Sequence, residues 1–310
     1  MPTVVDKTIG TAGGRDFSTY QSWEDAKPAN LTTADQVWRG LAYADSEFTA
    51  ALTIAGSTTD ATRYAELTCA SGQSFADNAN VQTNALRYNS ANGVALNVSD
   101  SYTDAITINE AFARVSKLQV SRNTGGGLSR AIYDAGAGSA LVRQCLLECD
   151  TAASVARIDT NSIIASCLLV SRSSSCPAIL TVAGANGKAV NCTIAVPSDK
   201  TAATKGIARS YASGWAITNC VIVGVSDIGD TTGITYSNCY TDDATSLPSG
   251  VTNIAYSTSS GTKFQNITDA TRDFRIQSGS GLIGVGTSDS DGTPDIAGTG
   301  AANPLATFLS

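Results

Sequence analysis

Short runs of alternating apolar and polar residues, broken by Gly, Ser, Asn and Asp, recur along this chain. Five segments share one local pattern: Leu141-Val-Arg-Gln-Cys-Leu-Leu147, Ile163-Ile-Ala-Ser-Cys-Leu-Leu169, Lys188-Ala-Val-Asn-Cys-Thr-Ile194, Ala216-Ile-Thr-Asn-Cys-Val-Ile222 and Thr235-Tyr-Ser-Asn-Cys-Tyr240. Their cysteines are 22, 25, 28 and 19 residues apart. Val115-Ser-Lys-Leu-Gln-Val120 reads as an earlier copy without the cysteine. A second series interleaves with the first: Ala105–Asn109, Ala131–Asp134, Val155–Asp159, Ala178–Val182 and Gly206–Arg209. Runs this short, with turn residues between them, are strands rather than helices.

A drifting period of about 25 residues with two or three short strands predicts an all-β chain wound as a parallel β-helix, one coil per repeat, with coils about 4.8 Å apart. A β-sandwich also has short strands at regular spacing, but it does not require a recurring sequence pattern. In a solenoid the same interior position returns on every coil, so Cys145, Cys167, Cys192, Cys220 and Cys239 are expected to form one column. Asn191, Asn219 and Asn238 precede three of them and are expected to stack as an amide ladder at a tight corner, since Asn tolerates left-handed backbone.

The ends depart from the repeat, as they must where an open coil would expose strand edges. Tyr20, Trp23 and Ala26 have helical spacing, with Ser18 as the expected N-cap and Pro28 as the stop. The chain therefore divides into an N-terminal cap over residues 1–35, a β-helix over 36–240 and an irregular capping or partner-binding segment over 241–310.

Composition narrows the chemistry. The 310 residues contain no histidine, so mechanisms built on a Ser-His or Cys-His pair, or on a His-ligated metal, are excluded. A net charge of -7 argues against nucleic acid as the main partner, because phosphate binding needs a basic surface. No apolar run is long enough to span a membrane, and no apolar signal-peptide core follows Met1, so the chain is expected to be made in a cytoplasm. None of the eight cysteines forms a Cys-x-x-Cys pair, and the expectation is buried free thiols. No cofactor is expected.

The opening Thr8-Ile-Gly-Thr-Ala-Gly-Gly-Arg-Asp-Phe-Ser-Thr-Tyr-Gln-Ser-Trp-Glu-Asp-Ala26, followed by the Asn-Cys-x-Ile repeats, resembles the pectate-lyase-like right-handed β-helix superfamily. Asp273-Phe-Arg-Ile-Gln-Ser-Gly-Ser-Gly-Leu-Ile-Gly-Val-Gly286 looks like the closing segment of such proteins. Within the superfamily the chain looks most like bacteriophage or prophage virion proteins. That resemblance implies a virion location, other virion proteins as partners, and a homo-oligomer, often a trimer. It leaves two functions open. One is a non-enzymatic decoration, fibre or tail accessory protein, the reading favoured by a cap that begins almost at Met1. The other is a tailspike-like depolymerase acting on a bacterial surface polysaccharide, with a host glycan as its ligand.

For the enzymatic alternative the candidates are Glu110, Asp134 and Asp159, which end or follow members of the second series at intervals of 24 and 25 residues. Stacked on successive coils, they would stand about 5 Å apart, the separation of a retaining glycosidase pair, or could hold Ca²⁺ through oxygen ligands. Their alternation phases differ, since Asp134 follows Ile132 by two places and Asp159 directly follows Ile158. Arg130 and Arg157 lie nearby without matching a lyase base. Asp289, Asp291 and Asp295 resemble a fragment of a calcium loop, although the closing Glu is absent and an ordinary Ser/Asp/Gly turn is the simpler reading. Gly125-Gly-Gly127 lacks the Lys-Ser/Thr of a phosphate loop. Tyr133, Tyr211, Trp215, Tyr236 and Tyr240 are the aromatics available for a glycan surface.

Overall fold

A computed structural model describes residues 1–77, 87–100, 102–123, 129–136, 138–150, 154–173, 176–197, 205–241 and 247–253, with two further strands, Phe264–Asn266 and Asp273–Ile276. The described residues form a right-handed parallel β-helix, with three parallel sheets of nine, eight and seven strands running along one rod. Each full coil contributes one strand to each sheet in chain order, as in Leu141–Arg143, Leu146–Cys149 and Ala156–Ile158. The first repeat series therefore spans two strands and the corner between them, and the second series is the third strand.

That first corner is the most regular feature of the fold. Only Lys117-Leu118, Gln144-Cys145, Ser166-Cys167, Asn191-Cys192 and Asn219-Cys220 separate consecutive strands of the first and second sheets. The leading residue of each pair, and Asn238 above them, is left-handed, with φ between 50° and 64°. Asn219 Nδ2 donates to Asn191 Oδ1 at 3.2 Å, so the expected amide ladder forms between those two rungs. The following residues make the interior column, in register with Val94 and Leu118 below the cysteines.

The column has a reason beyond lack of space. Each Sγ lies 3.3–3.4 Å from the carbonyl oxygen two residues back, at Arg143, Ala165, Val190, Thr218 and Ser237. A thiol is apolar enough for the core and still gives a corner carbonyl a weak donor. All eight cysteines are buried and unbridged.

A second left-handed column turns the third strand into the next coil. Phe112, Ser139, Asn161, Asn186, Gly214 and Gly233 all have φ between 55° and 72°, and each lies two residues before a register position of the first sheet. Glycine suits the left-handed backbone at Gly214, where a Cβ would meet Asn186 Oδ1 at 2.7 Å.

The N-terminal end differs from expectation in three respects. The helix covers Tyr20–Asp25 and its N-cap is Thr19 rather than Ser18. Ser22 lies three places after Thr19, and the two close a reciprocal capping box, whereas Gln21, three after Ser18, turns away to the third sheet. Its buried residues are Tyr20, Trp23 and Glu24, while Ala26 is the exposed C-cap. Finally, Thr3–Ile9 pairs residue by residue with Gln36–Ala42, so a strand of the coil lies inside the segment read as cap. At the other end Val251–Asn253 adds a rung to Cys239–Thr241, carrying the coil past residue 240.

The helix protects an edge. Leu52–Ile54 is the last strand of the third sheet, and its outward N–H groups have no next rung. Gln21 Oε1 accepts from Thr53 N at 3.0 Å and Glu24 Oε1 accepts from Ala55 N at 2.8 Å, so two side chains replace the missing strand.

Candidate functional site

The three carboxylates expected to stack are not in one row. Asp134 pairs in register with Ile108 on the coil below, and the next rung places Ile158 opposite it. It thus occupies an inward row and is fully buried. Alternation decides this, because Asp134 shares the parity of buried Ile132. Its oxygens accept from Gly136 N and Asp159 N, both at 3.1 Å. Burial raises its pKa above the usual carboxylate range, against the hydrogen bonds from Ser162, Asp159 and Gly136.

Asp159 is its neighbour but faces the surface, 15% exposed, with Arg157 Nη2 at 3.6 Å and Thr160 N at 2.7 Å. Glu110 belongs to another network. It is held by Lys27 Nζ at 2.5 Å and Ser57 N at 2.9 Å under the N-terminal helix. The structure therefore brings Asp134 and Asp159 together and takes Glu110 out of the set.

The outward row of the third sheet runs Thr53, Thr107, Tyr133, Arg157, Thr181 and Ala208. Strand register places Arg157 one rung above Tyr133. Arg130 reaches back over the same ring, 4.3 Å from its centroid, and Arg157 lies 5.4 Å away. Arg130 is braced by Asp104 at 3.4 Å, and buried Arg157 Nε has no hydrogen-bond partner. A half-buried aromatic ring with two guanidinium groups over it, and Asp159 beside the upper one, presents convergent cationic donors.

Farther along, Arg209, Tyr211, Asp230 and Thr232 line an open groove of about 320 Å³. Tyr211 is 90% exposed. Although burial pushes the other way, Lys205 Nζ at 2.7 Å and Arg209 N at 2.7 Å hold the Asp230 carboxyl below its usual range. Of the other aromatics, Trp215 is core, donating to Ala183 O at 2.9 Å, and buried Tyr236 donates to Asp230 O at 2.9 Å. Tyr240 is half-buried. Asp289, Asp291, Asp295 and Gly125–Gly127 lie outside the described residues. Among the described residues no group of three or more acidic or cysteine side chains is arranged to hold a metal ion.

Sequence reasoning placed Tyr133, Arg130 and Arg157 in the coils without joining them. The signal was available, since the offset of 24 residues from Tyr133 to Arg157 equals the repeat at that point. Lys27 and Glu24 gave no such signal.

The fold and its outer row define a right-handed parallel β-helix protein with an aromatic–cationic patch on one face. No protein-family model matches the chain, and no curated relative matches it. Two solved structures of the pectin methylesterase from Aspergillus niger are similar to it. Its penultimately deglycosylated form has a TM-score of 0.50 and 15% identity, covering 80% of each chain. The deglycosylated form has a TM-score of 0.48 and 13% identity, covering 100% of this chain and 98% of the other. Identity at that level is a likeness of fold.

Proposed function

We propose that this chain is a carbohydrate-directed β-helix protein that engages an anionic polysaccharide on the outer face of its third sheet and cleaves it. The observation that carries this reading is the Tyr133 ring flanked by Arg130 and Arg157. The Tyr133 ring holds the two guanidinium groups side by side, and guanidinium forks recognise carboxylates, so the patch suits a polymer bearing uronate-like groups. Coils about 4.8 Å apart also let an extended chain run along the rod with successive units over successive rungs. Asp159 is the reachable carboxylate and the proposed base. Asp134, whose carboxyl burial lifts above the usual range, lies behind it and accepts from the Asp159 backbone N–H. The similarity to a pectin methylesterase fold favours work on carbohydrate over a purely structural role. The virion location, virion partners and trimeric state rest on the sequence resemblance alone.

The test is retention of the protein on immobilised anionic and neutral polysaccharides, followed by release of new reducing ends. Tyr133→Ala and Arg157→Ala should each weaken retention by about tenfold, equivalent to about 1.4 kcal/mol. Asp159→Asn should bind and not cleave. Equal retention of wild type and both variants, or none on any anionic polymer, would return the chain to the structural reading.

A further inference from the structure

We infer that Lys27 and Glu110 are poised to condense into an intramolecular isopeptide bond that staples the N-terminal cap to the coil. This inference is independent of the carbohydrate reading. Lys27 Nζ lies 2.5 Å from Glu110 Oε2 and 2.8 Å from Glu24 Oε1. The three side chains are 2%, 1% and 4% exposed, so one ammonium and two carboxylates are shut away from water together. Glu24 Oε2 and Glu110 Oε1 are buried and have no hydrogen-bond partner. A surface ion pair would solvate those oxygens. Here the excess negative charge has no such outlet.

The arrangement supplies each part of an amide-forming reaction. Glu24 Oε1 is within reach of the Lys27 ammonium and takes a proton from it, leaving a neutral amine beside a carboxyl carbon. Burial outweighs Lys27 and lifts the Glu24 carboxyl above its usual range, which favours that transfer. The amine nitrogen attacks Cδ of Glu110. The Ser57 N–H, 2.9 Å from Oε2, stays on the oxygen that carries the developing charge and becomes the amide carbonyl. The unpartnered Oε1 is the oxygen that leaves. Glu24 passes on the proton it took, a second proton follows from the nitrogen, and Oε1 departs as water.

The Nζ–Cδ bond forms and one Cδ–O bond breaks. An ammonium and a carboxylate become an amide and one water, nothing is oxidised or reduced, and Glu24 ends as it began. Holding the groups in contact removes the entropic barrier of a bimolecular condensation, and the product replaces two buried charges with one neutral amide. The bond would join positions 83 residues apart.

Mass spectrometry of the full-length protein decides it. The expected result is an intact mass one water below that of the sequence, with the peptide carrying Lys27 joined to the peptide carrying Glu110 after proteolysis in denaturant. Lys27→Arg, which keeps the charge without the nucleophile, and Glu24→Gln, which still accepts from Ala55 N, should both read the full mass. A folded wild-type protein of full mass, with the two peptides recovered separately, overturns the inference whatever the variants do. A cross-link undiminished in Glu24→Gln overturns the proton-shuttle step.

Discussion

Replacing Asn191 separately with Ala and with Gly isolates the strain held in the first corner. Asn191 has φ 56°, is 4% exposed and accepts the Asn219 amide at 3.2 Å. Either substitution removes that hydrogen bond, a loss of about 1 kcal/mol. Alanine must also hold a left-handed backbone, which costs about 1–2 kcal/mol, so Asn191→Ala should lose about 2–3 kcal/mol in all. Glycine holds the conformation without strain, at a cost of about 0.5–1 kcal/mol from its freer unfolded chain. Asn191→Gly should therefore lose about 1.5–2 kcal/mol and be the better variant by about 0.5–1 kcal/mol. Ala216, half-buried in the ordinary strand Trp215–Thr218, is the control, where Ala→Gly should be destabilising by about 0.5–1 kcal/mol. Urea titrations of the variants give the comparison. If alanine equals or exceeds glycine at position 191, the corner is not held by left-handed strain and the account of both columns fails.

Two further results are expected. Burial pushes the Cys176 thiol up to about 11 and the Cys69 thiol upward as well, so at pH 8 these two should resist alkylation in the native protein. Alkylation in denaturant should modify all eight cysteines, and two or more unmodified residues in protein kept reduced would contradict the free-thiol column. The backbone N–H of Thr62, with its hydroxyl and Arg63, holds the Asp60 carboxyl down at about 2. A depressed carboxyl means that the folded state binds fewer protons, so this contribution is whole above an ordinary carboxylate pKa and is lost as pH falls towards 2. Melting curves between pH 5 and pH 2 should show a shallower acid limb in Asp60→Ala, and parallel limbs would refute the assignment.

The parts of this fold that could be read from residues are those that repeat. Asn-Cys followed by an aliphatic residue names a left-handed corner, an interior thiol and the next strand, because each coil poses the same local problem. The parity of Asp134 with Ile132 was also readable, and it marks Asp134 as inward and Asp159 as outward. Spacing alone put both with Glu110, and spacing ignores depth. The cap network is different in kind. Lys27 meets Glu110 across 83 residues, through a helix that supplies side chains in place of a strand, and no period connects the two. Thr19 displaced Ser18 as the N-cap for a similar reason, since Gln21 was already engaged by Thr53 of the coil.

The two-residue corner separates two measurements that most folds tie together. Successive cysteines of the column are 19 to 28 positions apart, yet each interval advances the chain by one rung. Girth therefore absorbs the difference, through the connections on the other two edges, and axial length is counted in corners. An insertion in one of those connections should thicken the rod locally without lengthening it. Only a segment bringing its own corner pair would extend it, by a fixed step of about 4.8 Å. Such a chain works as a ruler graduated in turns, and its markings survive changes in the number of residues between them.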